Sequence, residues 1–507
     1  MKYLVYCLFF LLSFASLQSQ STGHSLSVEV SVDEGILNSF SRSGRLFIFL
    51  TKNPDLEPRN QTWPNPYSKT HIFAINKNDF PQDRALLFGP DQNWTKTTEW
   101  GLSNVPEGIY YMQALWDQDT KESRTGAPGN LYSSKKKIEI NSSKKVAVLL
   151  NQQIEKRSLQ EHPLAKLIDL KSDTLSSWWN KEMRVKASIL LPYGYQEGKS
   201  YPIRYNVAGY GGRYTRLNRL LANKKFMEWW ESDQAPKVIN VFLDGEGPFG
   251  DSYQMDSDNS GPYGYSLIHE VIPKIESEYR GSNDMRTRFV DGCSTGGWVS
   301  LGLQLYYPDI FNGVYAYSPD AIDFKYYQLI NIYKEKNAFY NEYGYLRPIM
   351  RDQYGEPMLS MKEFIAYENV FGASDTYLDS GGQFSAHTAL YSPKGKDGLP
   401  QPMFDHLTGE IDSLVAKSWE KYDFKKYAEK NWKTLGPKLQ GKIYIWMGDM
   451  DHFYLNTGTR GFENFIKNTK DPKSDAIIEF SPMEGHCSLF SHKEILLKIK
   501  ERLKKSE

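Results

Sequence analysis

The amino-acid sequence predicts an α/β protein, a mostly parallel sheet with a helical lid insertion, preceded by a small β-sandwich domain. Three observations predict it. The first 150 residues carry strand patterns and no convincing helix. From about residue 185, short apolar strands alternate with helical stretches. After Pro319 the strand pattern stops for more than a hundred residues, then resumes at Lys442-Ile443-Tyr444-Ile445-Trp446.

The elements follow in order. Lys2 precedes an apolar run from Leu4 to Phe14, and Ala15-Ser16-Leu17-Gln18-Ser19 follows it. That is the layout of a cleavable secretory signal over residues 1–19, short for a membrane span. Cys7 lies inside the run and is expected to leave with it. Between residues 20 and 150, Leu26, Val28, Val30 and Val32 alternate with polar residues, and Leu46–Leu50, Gly108–Trp116 and Val146–Leu150 read as further strands. Turn-formers between them argue for a β-sandwich of roughly 130 residues. A polar connector over residues 151–182 leads to the main domain, residues 183–507.

In that domain Val185, Ala187, Ile189 and Leu191 alternate. Ile203–Ala208, Val238–Leu243 and Arg288–Asp291 are short apolar strands, and Leu267, Ile268, Val271, Ile272 and Ile275 mark a helix from Ser266 to Tyr279. Such alternation predicts a parallel sheet covered on both faces. A structureless loop over 320–440 does not suit a compact domain, so that stretch is expected to be a helical lid or cap.

Composition narrows the function. Lys+Arg and Asp+Glu are equal at 61 each in 507 residues, which leaves no electrostatic footprint for nucleic acid or an anionic membrane. No other stretch is apolar enough to span a bilayer, so the mature chain is expected to have no membrane span. Asp251, Asp256, Asp258 and Asn259 cluster in a Gly-rich loop, which is read as a solvated loop and not as a calcium site. No metal and no cofactor are expected.

The chemistry-bearing motif follows the strand Arg288–Asp291. Gly292-Cys293-Ser294-Thr295-Gly296 is a G-x-S-x-G string, and Trp298 to Tyr307 then reads as a helix. Strand, G-x-S-x-G, helix is the setting of a nucleophile elbow, which makes Ser294 the candidate nucleophile. A serine hydroxyl needs an adjacent base. His486, after the last apolar strand Ala476–Phe480, falls where the third member stands in the order Ser, Asp, His. The acid is expected just past the preceding strand, where Asp449 and Asp451 compete; three residues after Gly448 selects Asp451. Backbone donors for an oxyanion are expected from Thr295 and from Tyr210 or Gly211 in the Gly209-Tyr210-Gly211-Gly212 loop. Cys293 precedes the candidate nucleophile and Cys487 follows the candidate base, so a disulfide between them would tie the two segments together. Trp298 is a candidate lining residue for the substrate pocket.

These residues give the chain its resemblance. From about Arg184 onward it resembles α/β-hydrolase esterases, specifically those related to feruloyl and acetyl-carbohydrate esterases. The resemblance rests on Tyr201-Pro202-Ile203 leading to Gly209-Tyr210-Gly211-Gly212, on His269-Glu270-Val271-Ile272-Pro273, on the elbow, and on Gly448-Asp449-Met450-Asp451. The Cys-Ser and His-Cys pairs are similar to the tannase pattern, in which a disulfide joins the residues flanking serine and histidine. The resemblance implies an α/β-hydrolase fold over residues 183–507 and a serine esterase acting through an acyl-enzyme. The expected partner is a small-molecule or oligosaccharide ester. Alternatives are a serine peptidase or acyltransferase with the same triad, and a non-catalytic carbohydrate-binding protein on a hydrolase fold. The expected location is the periplasm, with secretion as the alternative.

Overall fold

The computed structural model describes residues 23–119 and 122–504; the expected leader and Cys7 lie outside them. An eight-stranded sheet organises the larger part of the chain. Its strands are β1 (Ala165–Ser172), β2 (Met183–Leu190), β3 (Ile203–Val207), β4 (Ile239–Leu243), β5 (Arg288–Cys293), β6 (Gly313–Tyr317), β7 (Ile443–Gly448) and β8 (Ile477–Ser481). Their spatial order is β1-β2-β4-β3-β5-β6-β7-β8. The β1–β2 and β2–β4 pairs are antiparallel and every later pair is parallel.

The central strands are buried along their whole length, as a parallel sheet covered on two faces must be. Period-two alternation sends their side chains to opposite layers. Val290, Val314 and Ala316 join one core with Val299 and Leu303 of helix α1 (Thr295–Tyr306). Phe289, Tyr315 and Tyr317 join the other, with Trp229, Trp230, Ile495 and Ile499. The helix expected from Ser266 runs from Tyr263 to Glu278 and widens to a π turn at Leu267–Val271. That widening lies just before Pro273, which has no N–H to give an α-helical ladder.

The stretch 151–182, read from sequence as a connector, carries β1 and a short helix, Asp173–Trp179. β1 is the sheet's edge strand, and only Ile168 and Ser172 in it are fully buried. A half-solvated edge has no apolar run to betray it.

The N-terminal part was expected as two packed sheets. The structure hydrogen-bonds nine strands into one. Lys144–Gln153 explains the difference. It pairs in parallel with Leu26–Val32 from Lys144 to Leu150 and antiparallel with Leu131–Ser133 from Leu150 to Gln153, with an irregularity between Leu150 and Gln152, so one strand joins both halves. One face of this sheet closes on a core containing Val28, Leu46, Ile48, Met112, Trp116, Ile138 and Val148. Part of its other face is also dry: Phe47, Phe49, Ile72 and Leu115 pack on Tyr367, Val370 and Phe371, while Lys145, Ala147 and Leu149 remain exposed.

Those three residues belong to the segment between β6 and β7. It contains helices α2 (Met361–Phe371), α3 (Gln383–Tyr391) and α4 (Phe424–Leu439) and a small hairpin, Pro348–Arg351 with Pro357–Ser360. Helices α5 (Asn456–Asn468) and α6 (His492–Lys504) follow in the chain. No helix among the described residues is long and apolar enough to cross a membrane.

Candidate active site

Ser294 stands between β5 and α1 with φ 60° and ψ −128°. A non-glycine residue in that region carries strain of about 1–3 kcal/mol and is held there by its surroundings. Here the surroundings are glycines. A Cβ on Gly292 would lie 2.4 Å from the Gly296 backbone, and one on Gly296 would lie 2.3 Å from the Val207 carbonyl oxygen. Only glycines allow α1 to start this close to β5 and to the end of β3. The Ser294 N–H donates to Tyr317 O at 3.0 Å, which fixes the turn to β6.

His486 lies on the loop after β8, and its Nδ1 sits 2.6 Å from Asp451 Oδ2. A carboxylate only accepts, so Nδ1 carries the proton and Nε2 is left as the basic nitrogen. Asp451 is wholly buried, and its other oxygen accepts from the Phe453 and Leu455 amides at 2.9 and 3.2 Å. Burial pushes the Asp451 carboxyl up, but His486 and these amides outweigh it and hold it below the ordinary value. For His486 the same contest runs the other way: burial lowers it, while Asp451, and Asp320 further off, raise it above the usual 6.5. Asp449, the competing carboxylate, turns away to Arg460 at 2.8 Å.

The acid and base loops are nested. A Cβ on Gly448 would meet the Glu484 carbonyl oxygen at 2.3 Å, so glycine lets the end of β7 pass under the histidine loop. Arg351, from the small hairpin, donates to the Asp451 and Asp449 carbonyls at 2.9 and 3.0 Å and braces the acid loop from outside.

Cys293 and Cys487 are joined in a disulfide with Cα atoms 6.0 Å apart. It closes a loop of 194 residues, for which chain entropy alone gives about 5 kcal/mol. Alkylation of the unreduced protein is expected to modify neither of these cysteines. The double variant Cys293→Ala/Cys487→Ala is expected to lose about 2–5 kcal/mol in chemical unfolding. Two alkylated thiols in the unreduced protein would contradict the bond.

The Gly209 loop lies against the nucleophile: a Cβ on Gly209 would be 3.9 Å from Ser294 Cβ. Thr295 opens α1, so its amide has no acceptor within the helix. Gly211 has φ +77°, and its amide faces the Asp251 carboxylate, so of the two residues expected from this loop Tyr210 is the candidate donor that remains. Burial raises Asp251 to about 6.

Trp298 is not in the pocket. It is fully buried beneath α1, stacks on Phe424 at 4.2 Å and donates from Nε1 to Ala321 O. Its position, four residues into the helix, points it into the core rather than over Ser294. The four residues weighed as a calcium loop also diverge. Asp251 accepts from the Tyr253 amide, Asp256 from the Tyr265 amide, Asn259 donates to Ala389 and Ser392 carbonyls, and Asp258 faces Lys421.

Ser294 and His486 open into one cavity of about 600 Å³. No hydrogen bond joins them directly among the described residues; Ser294 Oγ lies 3.4 Å from Asp320 Oδ1. The walls include the aromatic residues Tyr210, Phe453, Phe364 from α2, Phe384 from α3, and Trp63 from a loop of the N-terminal sheet, beside Arg213, Arg216 and Arg219. Glu368 of α2 accepts the Phe384 and Ser385 amides and so caps α3, fixing Gln383 and Phe384 at the cavity. Sequence reasoning missed Trp63 and Asp320. Asp320 had a signal, since it closely follows the C-terminal end of β6, where α/β sheets place their sites. Trp63, in the loop between Gly44–Thr51 and Thr70–Lys77, had none.

The family model described as "Putative esterase" matches residues 179–488. The chain belongs to this esterase family. The matched span of the esterase runs from just before β2 to the residue after Cys487, and so takes in Ser294, Asp451 and His486. No significant match was found among curated protein sequences. Solved structures similar to this esterase include a ferulic acid esterase at 15% identity, covering 67% of this chain and 98% of that one, with a TM-score of 0.42. An S-formylglutathione hydrolase from Agrobacterium tumefaciens matches at 15% identity over 69% and 96% of the two chains, TM-score 0.38. A ferulic acid esterase from Anaeromyces mucronatus matches at 14% identity over 69% and 92%, TM-score 0.33.

Proposed function

We propose that this protein is an exported serine esterase that cleaves carboxylic esters on polysaccharide fragments through an acyl-enzyme. One observation carries the reading: Ser294, on a strained strand-to-helix turn, shares a cavity with a histidine whose Nδ1 is held by a buried carboxylate. In the proposed cycle Ser294 Oγ turns toward His486 Nε2 and gives up its proton as it attacks the ester carbonyl. The Thr295 and Tyr210 amides hold the oxyanion. His486, charged and steadied by Asp451, then protonates the departing alcohol. Water repeats the sequence on the acyl-enzyme. A disulfide beside the nucleophile supports export to an oxidising compartment such as the periplasm. A fluorophosphonate probe is expected to label the wild-type protein at Ser294, and peptide mapping of the adduct checks this. Absence of any adduct would favour a non-catalytic binding protein.

The aromatic walls support a ring-bearing substrate. Trp63 packs edge-on against Phe364 at 4.8 Å and lies 6.2 Å from Tyr210. It keeps about a third of its surface exposed. In this reading the N-terminal sheet forms part of the substrate wall instead of standing apart as an accessory module. Trp63→Ala is expected to lower kcat/KM about tenfold for acetylated or feruloylated oligosaccharides, and less for methyl acetate. Trp63→Phe should recover most of the loss. Steady-state kinetics on the two substrate sizes check it.

A further inference from the structure

Asp320 is buried, 4% exposed, just past the end of β6, and it reaches the cavity beside Ser294. Its two oxygens live in different surroundings. Oδ2 is surrounded by donors: Thr295 Oγ1 at 3.0 Å, Tyr253 Oη at 3.1 Å, Gln383 Nε2 at 3.2 Å and His387 Nε2 at 3.4 Å. His387 is itself fixed by Tyr327 Oη at 2.8 Å from Nδ1. Oδ1 faces Ser294 Oγ at 3.4 Å and has no other protein donor among the described residues. Gln328 lines the same cavity, 8% exposed, and its Oε1 is buried without a hydrogen-bond partner.

This asymmetry matters once chemistry begins. When Ser294 Oγ turns to His486, and throughout the life of an acyl-enzyme, the serine no longer offers Oδ1 a hydrogen. The carboxylate oxygen that faces the cavity is then left without a protein donor among the described residues. A substrate can supply that donor.

Resting on the esterase reading, we propose that Asp320, with Gln328 in the same lining, is a subsite for a hydroxyl group on a carbon next to the ester linkage. Distance limits the position. Oδ1 lies 3.4 Å from the attacking oxygen, so a donor bound to it sits within about 6 Å of that oxygen, close to the reacting carbonyl. A vicinal hydroxyl on a sugar or polyol meets this on the alcohol side, and an α-hydroxyl meets it on the acyl side. A phenolic hydroxyl at the far end of a cinnamoyl chain is several bonds too distant.

Two isosteric pairs test the idea and separate the two sources. 2-Hydroxyethyl acetate against propyl acetate replaces a vicinal hydroxyl by methyl. Ethyl lactate against ethyl isobutyrate replaces an α-hydroxyl by methyl. Each kcat/KM is divided by the ester's rate of hydroxide-catalysed hydrolysis. The wild-type protein is expected to favour the hydroxyl member of at least one pair by roughly 10- to 100-fold. Asp320→Asn sharpens the test. Four donors around Oδ2 would hold the amide oxygen and turn the NH₂ toward the cavity, converting an acceptor into a donor. The preference is expected to shrink by about tenfold or more in a variant that the fluorophosphonate probe still labels. Ratios within about threefold of unity for both pairs in the wild type would overturn the proposal, whether or not the variant folds. So would a labelled Asp320→Asn protein with an unchanged preference. If the wild-type protein takes up no probe and cleaves none of the four esters, the esterase reading itself fails, and the subsite falls with it.

Discussion

Replacing Ser294 by alanine is expected to lower kcat/KM on a chromogenic short-chain ester by about 10⁵-fold or more. The size follows from the role. Without Oγ no acyl-enzyme forms, and His486 and the oxyanion donors are left to assist direct attack by water. Residual catalysis above the uncatalysed rate is expected, because the Thr295 and Tyr210 amides remain where they are. The fold should be unharmed. Alanine keeps the Cβ that the turn already accommodates at φ 60°, and the backbone amide at this position still reaches Tyr317. Circular dichroism alongside the kinetics separates lost chemistry from lost structure. A Ser294→Ala protein with wild-type turnover would move the chemistry elsewhere.

The second large effect is at Asp451. Asp451→Asn is expected to cost about 10⁴-fold in kcat with little loss of stability, since the amide fills the same space. The loss is one of tautomer and charge. The introduced carboxamide can present its NH₂ to His486 Nδ1, which favours the imidazole with its proton on Nε2, the wrong nitrogen for a base. The imidazolium formed on attack also loses its counter-charge. The pH profile gives an independent reading. Turnover needs the neutral imidazole, so activity falls as pH drops through the His486 pKa. In the wild type that pKa is raised above 6.5, so the acid limb should lie above that value. Without the Asp451 charge, burial is left as the largest influence on His486, and burial lowers it. The acid limb should therefore move to lower pH in the variant. A limb that stays in place would show that some other group sets it.

The residues that the structure brings together at this cavity, Ser294, His486 and Asp451, could be picked out before the fold because they sit on local patterns. Gly292 to Gly296, read with the strand before and the helix after, mark the elbow, and glycines fit where β5, α1 and the end of β3 converge. Chain order located His486, and spacing after Gly448 preferred Asp451. What escaped the sequence depends on contacts made across long separations. Trp298 has the aromatic character of a pocket residue, but three aromatic neighbours from α3, α4 and the Tyr253 loop enclose it. Trp63 reads as a loop residue until α2 is laid against it. β1 is half-solvated and therefore lacks the apolar run that revealed its neighbours. The single nine-stranded sheet turns on a register irregularity in one strand, which leaves no mark on the pattern of apolar residues.

The covered patch on the outer face of that nine-stranded sheet bears on how this protein can change. Trp63 hangs from a loop whose two anchoring strands belong to one sheet, while Ser294, Asp451 and His486 hang from another. The loop joins two strands of the nine-stranded sheet and none of the strands that lead to Ser294, Asp451 and His486. On the reading proposed above, substrate preference and cleavage would be set from separate parts of the chain. They are held in register by the contact of Phe47 and Phe49 with Phe371 and its neighbours. Trimming the protein to its family-matched span would not give a smaller version of the same catalyst. It would strip the cavity of one wall and leave an oily helix face open to water, so the two halves have to be inherited together even though they can be tuned apart.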